Sequence, residues 1–226
     1  MRRRSKIIMA KETGSRLQAT GILLAGGKNS RMKKNKAFLE LEGKPLVERS
    51  LQMLKGIFSE VLLSSNEPQL YEQFGVEVMP DLMPDQGPIG GLQAGLRAAS
   101  YETSFFVACD MPFLDSGLIR LLSRWAKEYD VVVPQAGGGL NPLHAFYART
   151  CLPFIEENIR VGHLKIIDFY PQCKVRYVGE EELAAAGGMS SGREVSAAER
   201  LRRAFLNVNT PEEWDRLVRG TTTNFS

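Results

Sequence analysis

The chain has 226 residues, 43% of them hydrophobic and 24% charged, which describes an ordinary globular protein long enough for one sizeable core. Its net charge of +3 is modest and partly sits in Arg2-Arg3-Arg4-Ser5-Lys6, so the composition argues against a nucleic-acid groove. Cys109, Cys151 and Cys173 lie far apart, without a C-x-x-C pair and with only His144 and His163 to join them, which excludes a disulfide framework and a zinc site and leaves reduced thiols.

Residues 1–19 carry a basic start and only a three-residue apolar run at Ile7-Ile8-Met9, too short for a signal peptide or a membrane span. They are expected to be a flexible extension of a cytoplasmic protein, followed by one domain over residues 20–219 and a short tail over 220–226. Gly21-Ile22-Leu23-Leu24-Ala25 reads as a buried strand closed by Gly26-Gly27, and Lys28, Arg31, Lys33, Lys34 and Lys36 follow at once. Glycines that let backbone N–H groups approach a ligand, beside a run of cations, suit a polyanion such as a nucleoside triphosphate. The spacing fits neither a Walker A loop nor a dinucleotide fingerprint. The competing reading is a plain tight turn with solvated lysines.

Phe38 to Leu41 alternates like a short strand and turns at Glu42-Gly43; a helix is expected from Pro45 to Lys55 and a strand at Val61-Leu62-Leu63. The pattern repeats with a short helix over Pro68 to Phe74, a strand at Val76 to Met79, a helix from Gly90 to Ala99 and a strand at Phe105 to Ala108. Such alternation predicts an α/β fold, a mostly parallel sheet with helices on both faces. Ligands then bind outside the carboxyl ends of the strands. Those ends carry Ser64-Ser65-Asn66, Pro80-Asp81 and Cys109-Asp110-Met111-Pro112.

Asp110, at the tip of the central apolar strand, reads as a Mg²⁺ ligand, with a turn aspartate before Pro112 as the alternative. Asp81 is either a second site carboxylate or the start of a turn. Gln86 to Leu92 is a second glycine-rich loop opening a helix, where Gly87 and Gly90 would let a base or ribose lie against the backbone. Further on, Leu118, Leu121, Leu122 and Trp125 mark an amphipathic helix and Asp130 to Pro134 a strand. His144, in an apolar strand, reads as a packed core residue, with contact to a pterin or phosphate as the alternative; His163 reads as a surface residue. Arg149, Arg160 and Lys165 are acceptor-phosphate candidates on composition alone. Residues 179–203 are Glu-, Ala-, Gly- and Ser-rich and are expected to form a flexible loop. Ala204 to Asn209 is expected to be a closing strand, and Thr210-Pro211-Glu212-Glu213 a capped helix start.

Leu24-Ala25-Gly26-Gly27, Ser30-Arg31-Met32, Lys36, Gly87-Pro88-Ile89-Gly90-Gly91, Cys109-Asp110-Met111-Pro112 and Asn207-Val208-Asn209-Thr210-Pro211-Glu212 together resemble the molybdenum cofactor guanylyltransferase (MobA-type) family. The resemblance runs in order from Thr20 to about Leu217. It implies a Rossmann-like fold and transfer of GMP from Mg·GTP to the phosphate of Mo-molybdopterin, releasing pyrophosphate and giving the guanine dinucleotide cofactor. It also implies roles for particular residues. Leu24, Ala25, Gly26 and Gly27 would form the nucleotide-binding turn, Lys36 would hold phosphate, Asp81 would bind GTP, and Asp110 would bind both nucleotide and Mg²⁺. Arg31 would face the leaving pyrophosphate. Lys33 and Asn35 depart from the family pattern, which has glycine and commonly aspartate there. Asn207 and Asn209 would face the metal or the acceptor. The implied partners are molybdoenzymes and other proteins of cofactor biosynthesis, with no nucleic acid and no membrane. A cytidylyltransferase using CTP is the nearer alternative, and a non-catalytic nucleotide-binding partner of molybdoenzymes the farther.

Overall fold

The computed structural model describes residues 15–26, 35–80, 86–185 and 196–222. The first strand, β1 (Leu17–Leu24), is buried on both faces along most of its length, as expected of a central parallel strand. It leads, after the segment outside the described residues, to a 3₁₀ turn at Lys36–Phe38 and a two-stranded hairpin, β2 (Glu40–Leu41) and β3 (Lys44–Pro45). The expected strand at 38–41 is present over Glu40–Leu41 only: Phe38 ends the 3₁₀ turn, which Asn35 starts by accepting from Ala37 N–H through its side chain.

Helix α1 (Leu46–Ile57) buries Leu46, Val47, Leu51, Leu54 and Ile57 along one stripe. It passes without a linker into β4 (Phe58–Ser64), whose first residue closes the helix by donating its N–H to Leu54 O. Two 3₁₀ turns, Pro68–Leu70 and Glu72–Phe74, replace the expected short helix. Then come β5 (Glu77–Met79), α2 (Pro88–Ala98), β6 (Thr103–Ala108), α3 (Ser116–Ser123), β7 (Val131–Ala136), β8 (Gly139–Leu140) and β9 (His144–Ala148). The chain finishes with α4 (Leu152–Arg160), a 3₁₀ segment at Ile166–Gln172, β10 (Val175–Gly179), α5 (Glu180–Ala185), α6 (Ala197–Ala204) and α7 (Pro211–Thr222).

The main sheet runs β10-β7-β9-β6-β1-β4-β5, with β8 joined to β7. Strands β5, β4, β1 and β6 are parallel neighbours, whereas β9 is antiparallel to both β6 and β7. Alternate residues feed two cores. Leu23, Phe105, Val107, Val132 and Phe146 pack with α1, α3, α5 and α6 on one face, while Ile22, Leu24, Phe106, Val131 and Tyr147 pack with α2 and α4 on the other. Each large apolar side chain so buried contributes about 1.5–3 kcal/mol relative to exposure. Gly21 serves this packing, since a Cβ there would lie 2.6 Å from the Phe58 ring.

Two further expectations change. Residues 205–209 are not a strand: Ala204 ends α6, and the following segment touches the sheet edge through Val208 N–H donating to Asp110 O at 3.0 Å. Much of 179–203 is helical, in α5 and α6, with 186–195 outside the described residues. The capped helix start is present. Glu213 Oε2 accepts from Asn209 N–H and Thr210 N–H, and Thr210 Oγ1 accepts from Glu213 N–H. Cys109, Cys151 and Cys173 are free thiols.

Candidate active site

The carboxyl ends of the parallel strands are laced together beyond the last strand residues. Ala25 N–H donates to Ser64 O at 2.9 Å, Cys109 N–H to Leu24 O at 3.0 Å, and Ser65 N–H to Met79 O at 2.9 Å. These bonds satisfy backbone groups where each strand opens into its loop, and so fix the floor of a cavity. The cavity has a volume of about 860 Å³. Leu24, Ala25 and Gly26 line it from β1, Ser64 to Glu67 from β4, Cys109 and Asp110 from β6, and Asn207 and Asn209 from the segment before α7.

Lys36 crosses this floor. Its ammonium donates to Asp110 Oδ2 at 3.1 Å and to Asn209 Oδ1 at 3.0 Å, joining residues from three distant stretches of chain. Both charged side chains are largely buried, at 18% and 21% exposure, yet each borders the cavity. Asp110 owes its place to main-chain bonds on either side, those of Cys109 N–H to Leu24 O and of Val208 N–H to its own carbonyl. Asn209 is held by the helix cap through Glu213. The neighbouring Cys109 thiol is pushed up to about 12, by burial first and then by the Asp110 charge, so it stays protonated and is no nucleophile.

Helix α2 points its amino end at the same cavity. Gly87, at φ +64°, turns the chain so that Pro88 starts the helix, and Gly87, Pro88 and Gly91 line the wall. Backbone N–H groups at such a helix start attract anions. Gly90 is buried within the helix, so Gly91 is the first-turn glycine that faces the cavity. The far wall is Leu140 to Leu143, tied to β6 by Ala108 N–H donating to Leu143 O at 3.3 Å.

Of the residues singled out from sequence, Leu24, Ala25, Gly26, Lys36, Gly87, Asp110, Asn207 and Asn209 thus share one cavity. Gly27, Arg31 and Asp81, with Lys28, Lys33 and Lys34, lie outside the described residues. The cationic acceptor candidates are elsewhere. Arg149 follows the antiparallel β9 and therefore sits at the opposite sheet edge, where its guanidinium donates to the carbonyls of Ala99 and Tyr101. Arg160 pairs with Glu157 on α4, and Lys165 is exposed; neither lines the cavity. His144 is fully buried between the rings of Phe105 and Phe205, and His163 is on the surface. Sequence reasoning missed Glu67 and the wall from Leu140 to Leu143. The strand-end rule points to Ser64-Ser65-Asn66 and stops one residue short of Glu67, and nothing in the residue types of 140–143 signals a site.

Comparison with known proteins adds the family. Residues 21–192 match the domain described as MobA-like NTP transferase domain. The chain belongs to the MobA-like NTP transferase family. A relative named probable molybdenum cofactor guanylyltransferase, from Pelotomaculum thermopropionicum, is 41% identical over 197 residues, spanning 87% of this chain and 90% of the relative. One named molybdenum cofactor guanylyltransferase, from Desulfosudis oleivorans, is 33% identical over 199 residues, spanning 87% and 93%. Among solved structures, molybdopterin-guanine dinucleotide biosynthesis protein A from Archaeoglobus fulgidus superposes with a TM-score of 0.74, covering 90% of this chain and 99% of that one. At 23% identity it bears on the fold, which it shares. As a MobA-like NTP transferase the chain is a nucleotidyltransferase, and its helix-flanked sheet is the fold the sequence leads one to expect.

Proposed function

We propose that this nucleotidyltransferase moves GMP from GTP to the terminal phosphate of Mo-molybdopterin. One observation carries the reading: Lys36 and Asp110 meet at 3.1 Å on the floor of a cavity that the amino end of α2 also faces. The guanine preference and the acceptor follow from relatives named molybdenum cofactor guanylyltransferase.

A phosphate oxygen of the acceptor attacks the α-phosphorus of GTP, the bond from that phosphorus to the bridging oxygen breaks, and pyrophosphate leaves. Charge neutralisation and alignment supply most of the rate in such transfers. No general base is required, because a phosphate monoester with a second pKa near ~6 is already anionic at neutral pH. Lys36 balances phosphate charge, Gly26 and the start of α2 offer backbone donors, and Arg31 neutralises the leaving pyrophosphate. Asp81 contributes to the nucleotide side, with Gly27 and Gly87 shaping the turns and Gly90 packed inside the first turn of α2. Asn207 and Asn209 face the metal or the acceptor.

The donor set suits Mg²⁺. Asp110 supplies one carboxylate, the two asparagines supply amide oxygens, and the only thiol on the floor among the described residues is held protonated. Among the described residues no three histidine, cysteine, aspartate or glutamate side chains gather to hold a metal, and Asp110 is the one carboxylate this donor set uses. When bound it neutralises charge on the phosphates. The product would pass to molybdoenzymes, with other cofactor-biosynthesis proteins as partners. Among the described residues no helix is long and apolar enough to cross a membrane; a cytoplasmic setting belongs to this proposal.

The test is pyrophosphate release with GTP or CTP, with and without Mo-molybdopterin. Release that needs the acceptor and favours GTP supports the proposal. Preference for CTP makes the chain a cytidylyltransferase, and acceptor-independent release removes the transfer reaction.

A further inference from the structure

Tyr71 lies under the site and takes no part in the transfer described above. It is fully buried, in the turn between the two 3₁₀ segments that follow β4. Its ring stacks on Phe38 at 5.4 Å between centroids and packs against Phe74. Two of the bonds its hydroxyl makes converge from opposite directions. Tyr71 Oη donates to Ala25 O at 3.2 Å and accepts from Asn35 Nδ2 at 3.2 Å.

The polarity of this relay is fixed by chemistry. Ala37 N–H can only donate, and it donates to Asn35 Oδ1 at 3.1 Å, which turns the amide so that Nδ2 faces the phenol. The phenol proton is then left for the Ala25 carbonyl, which can only accept. Burial raises the phenol pKa above its ordinary value despite the Asn35 and Ser65 hydrogen bonds, so the proton is retained. Ala25 follows the last residue of the first strand, and Asn35 precedes Lys36. One hydroxyl therefore ties the strand end that lines the cavity to the turn that presents the lysine.

We infer that Tyr71, acting through Asn35, is a positioning residue that holds Lys36 in register with the nucleotide-binding turn at Ala25. This rests on Lys36 being the phosphate-binding lysine of the proposed function. Removing the hydroxyl while keeping the ring leaves the packing on Phe38 and Phe74 intact. It also leaves a buried amide donor and a carbonyl unmatched. Aspartate at position 35 would act differently, since a carboxylate accepts the phenol proton and draws it away from Ala25.

The experiment measures the Kd of a fluorescent triphosphate for the full chain and for Tyr71→Phe, Asn35→Asp, Lys36→Ala, and each of the first two combined with Lys36→Ala. Tyr71→Phe and Asn35→Asp should each weaken binding by about five-fold, the net worth of one hydrogen bond. Both effects should vanish in the Lys36→Ala background. A residue that merely supports the fold would lower Tm and would cost the same with or without the lysine. Unchanged Kd in Tyr71→Phe and Asn35→Asp, or equal losses in both backgrounds, overturns the inference; if Tyr71→Phe fails to fold, Asn35→Asp decides alone. Running the cycle with GTP and CTP analogues separates the two claims. Preference for CTP would fall on the proposed function and leave the coupling between Tyr71 and Lys36 readable.

Discussion

Replacing Asp110 should separate activity from stability. The Lys36–Asp110 pair at 3.1 Å has a gross attraction of about 5 kcal/mol at an effective dielectric of ~20. Desolvation of two largely buried charges cancels most of that, leaving a net contribution on the order of 1 kcal/mol. The main-chain bonds that seat Asp110 do not involve its side chain, and Lys36 keeps Asn209 as a partner. Asp110→Asn should therefore lower Tm by only roughly 2–4 °C in a chain of this size. Transfer should fall far more, by roughly 10²–10³-fold or beyond, the usual penalty for losing an electrostatic group aimed at developing charge. Thermal unfolding followed by circular dichroism and pyrophosphate release at saturating Mg²⁺ read the two quantities on the same sample. Near-normal turnover with Asp110→Asn would refute the role given to this carboxylate, and Asp110→Ala, which deletes it altogether, checks the same point.

Other outcomes follow from the packing. Burial lowers the His144 pKa to about 4 even though the Asp115 charge works the other way. The unfolded chain then binds the extra proton first, so stability should fall by roughly 3 kcal/mol as pH drops from about 6.5 to about 4. His144→Leu should flatten that part of a stability-against-pH curve measured by urea unfolding. Asp115 caps α3 through Leu118 N–H and pairs with Arg200 at 16% exposure for each side chain. Burial alone would raise its pKa, but the Arg200 and Leu118 bonds hold it below 3.8, so its stabilising effect is present above that value and fades as pH falls through the lower folded pKa. Asp115→Ala should cost about 3 kcal/mol at neutral pH, read from the shift in urea midpoint, and less in strong acid. A Cβ at Gly95 would come within 2.6 Å of the Phe106 ring and 2.8 Å of Ile22 Cδ1. Gly95→Ala should therefore destabilise by roughly 1–3 kcal/mol despite the better helix propensity of alanine, and differential scanning calorimetry would show it.

The alternation of apolar strands and amphipathic helices made the parallel half of the sheet legible, and with it the edge where Lys36 and Asp110 meet. The antiparallel β9 was not legible. Its apolar run fits a buried strand of either direction, and direction is decided by the β7–β8 hairpin that precedes it. That reversal is what sends Arg149 to the edge away from the cavity. The segment before α7 misled for a related reason. Phe205, Leu206 and Val208 look strand-like, but Val208 reaches only the Asp110 carbonyl, and the helix cap claims Asn209 and Thr210. Asn35 stood out only as a departure from the family pattern; the role of its amide depends on Tyr71, distant in sequence, and no local pattern reveals such a bond.

The most direct test of the central claim follows the fate of each phosphate. GTP labelled at the α-phosphate or at the γ-phosphate is incubated with the protein, Mg²⁺ and Mo-molybdopterin, and the products are separated. The account predicts that the α-label appears in a pterin dinucleotide and the γ-label in pyrophosphate. Label released as inorganic phosphate with GDP left behind, or no label on the pterin, would contradict it.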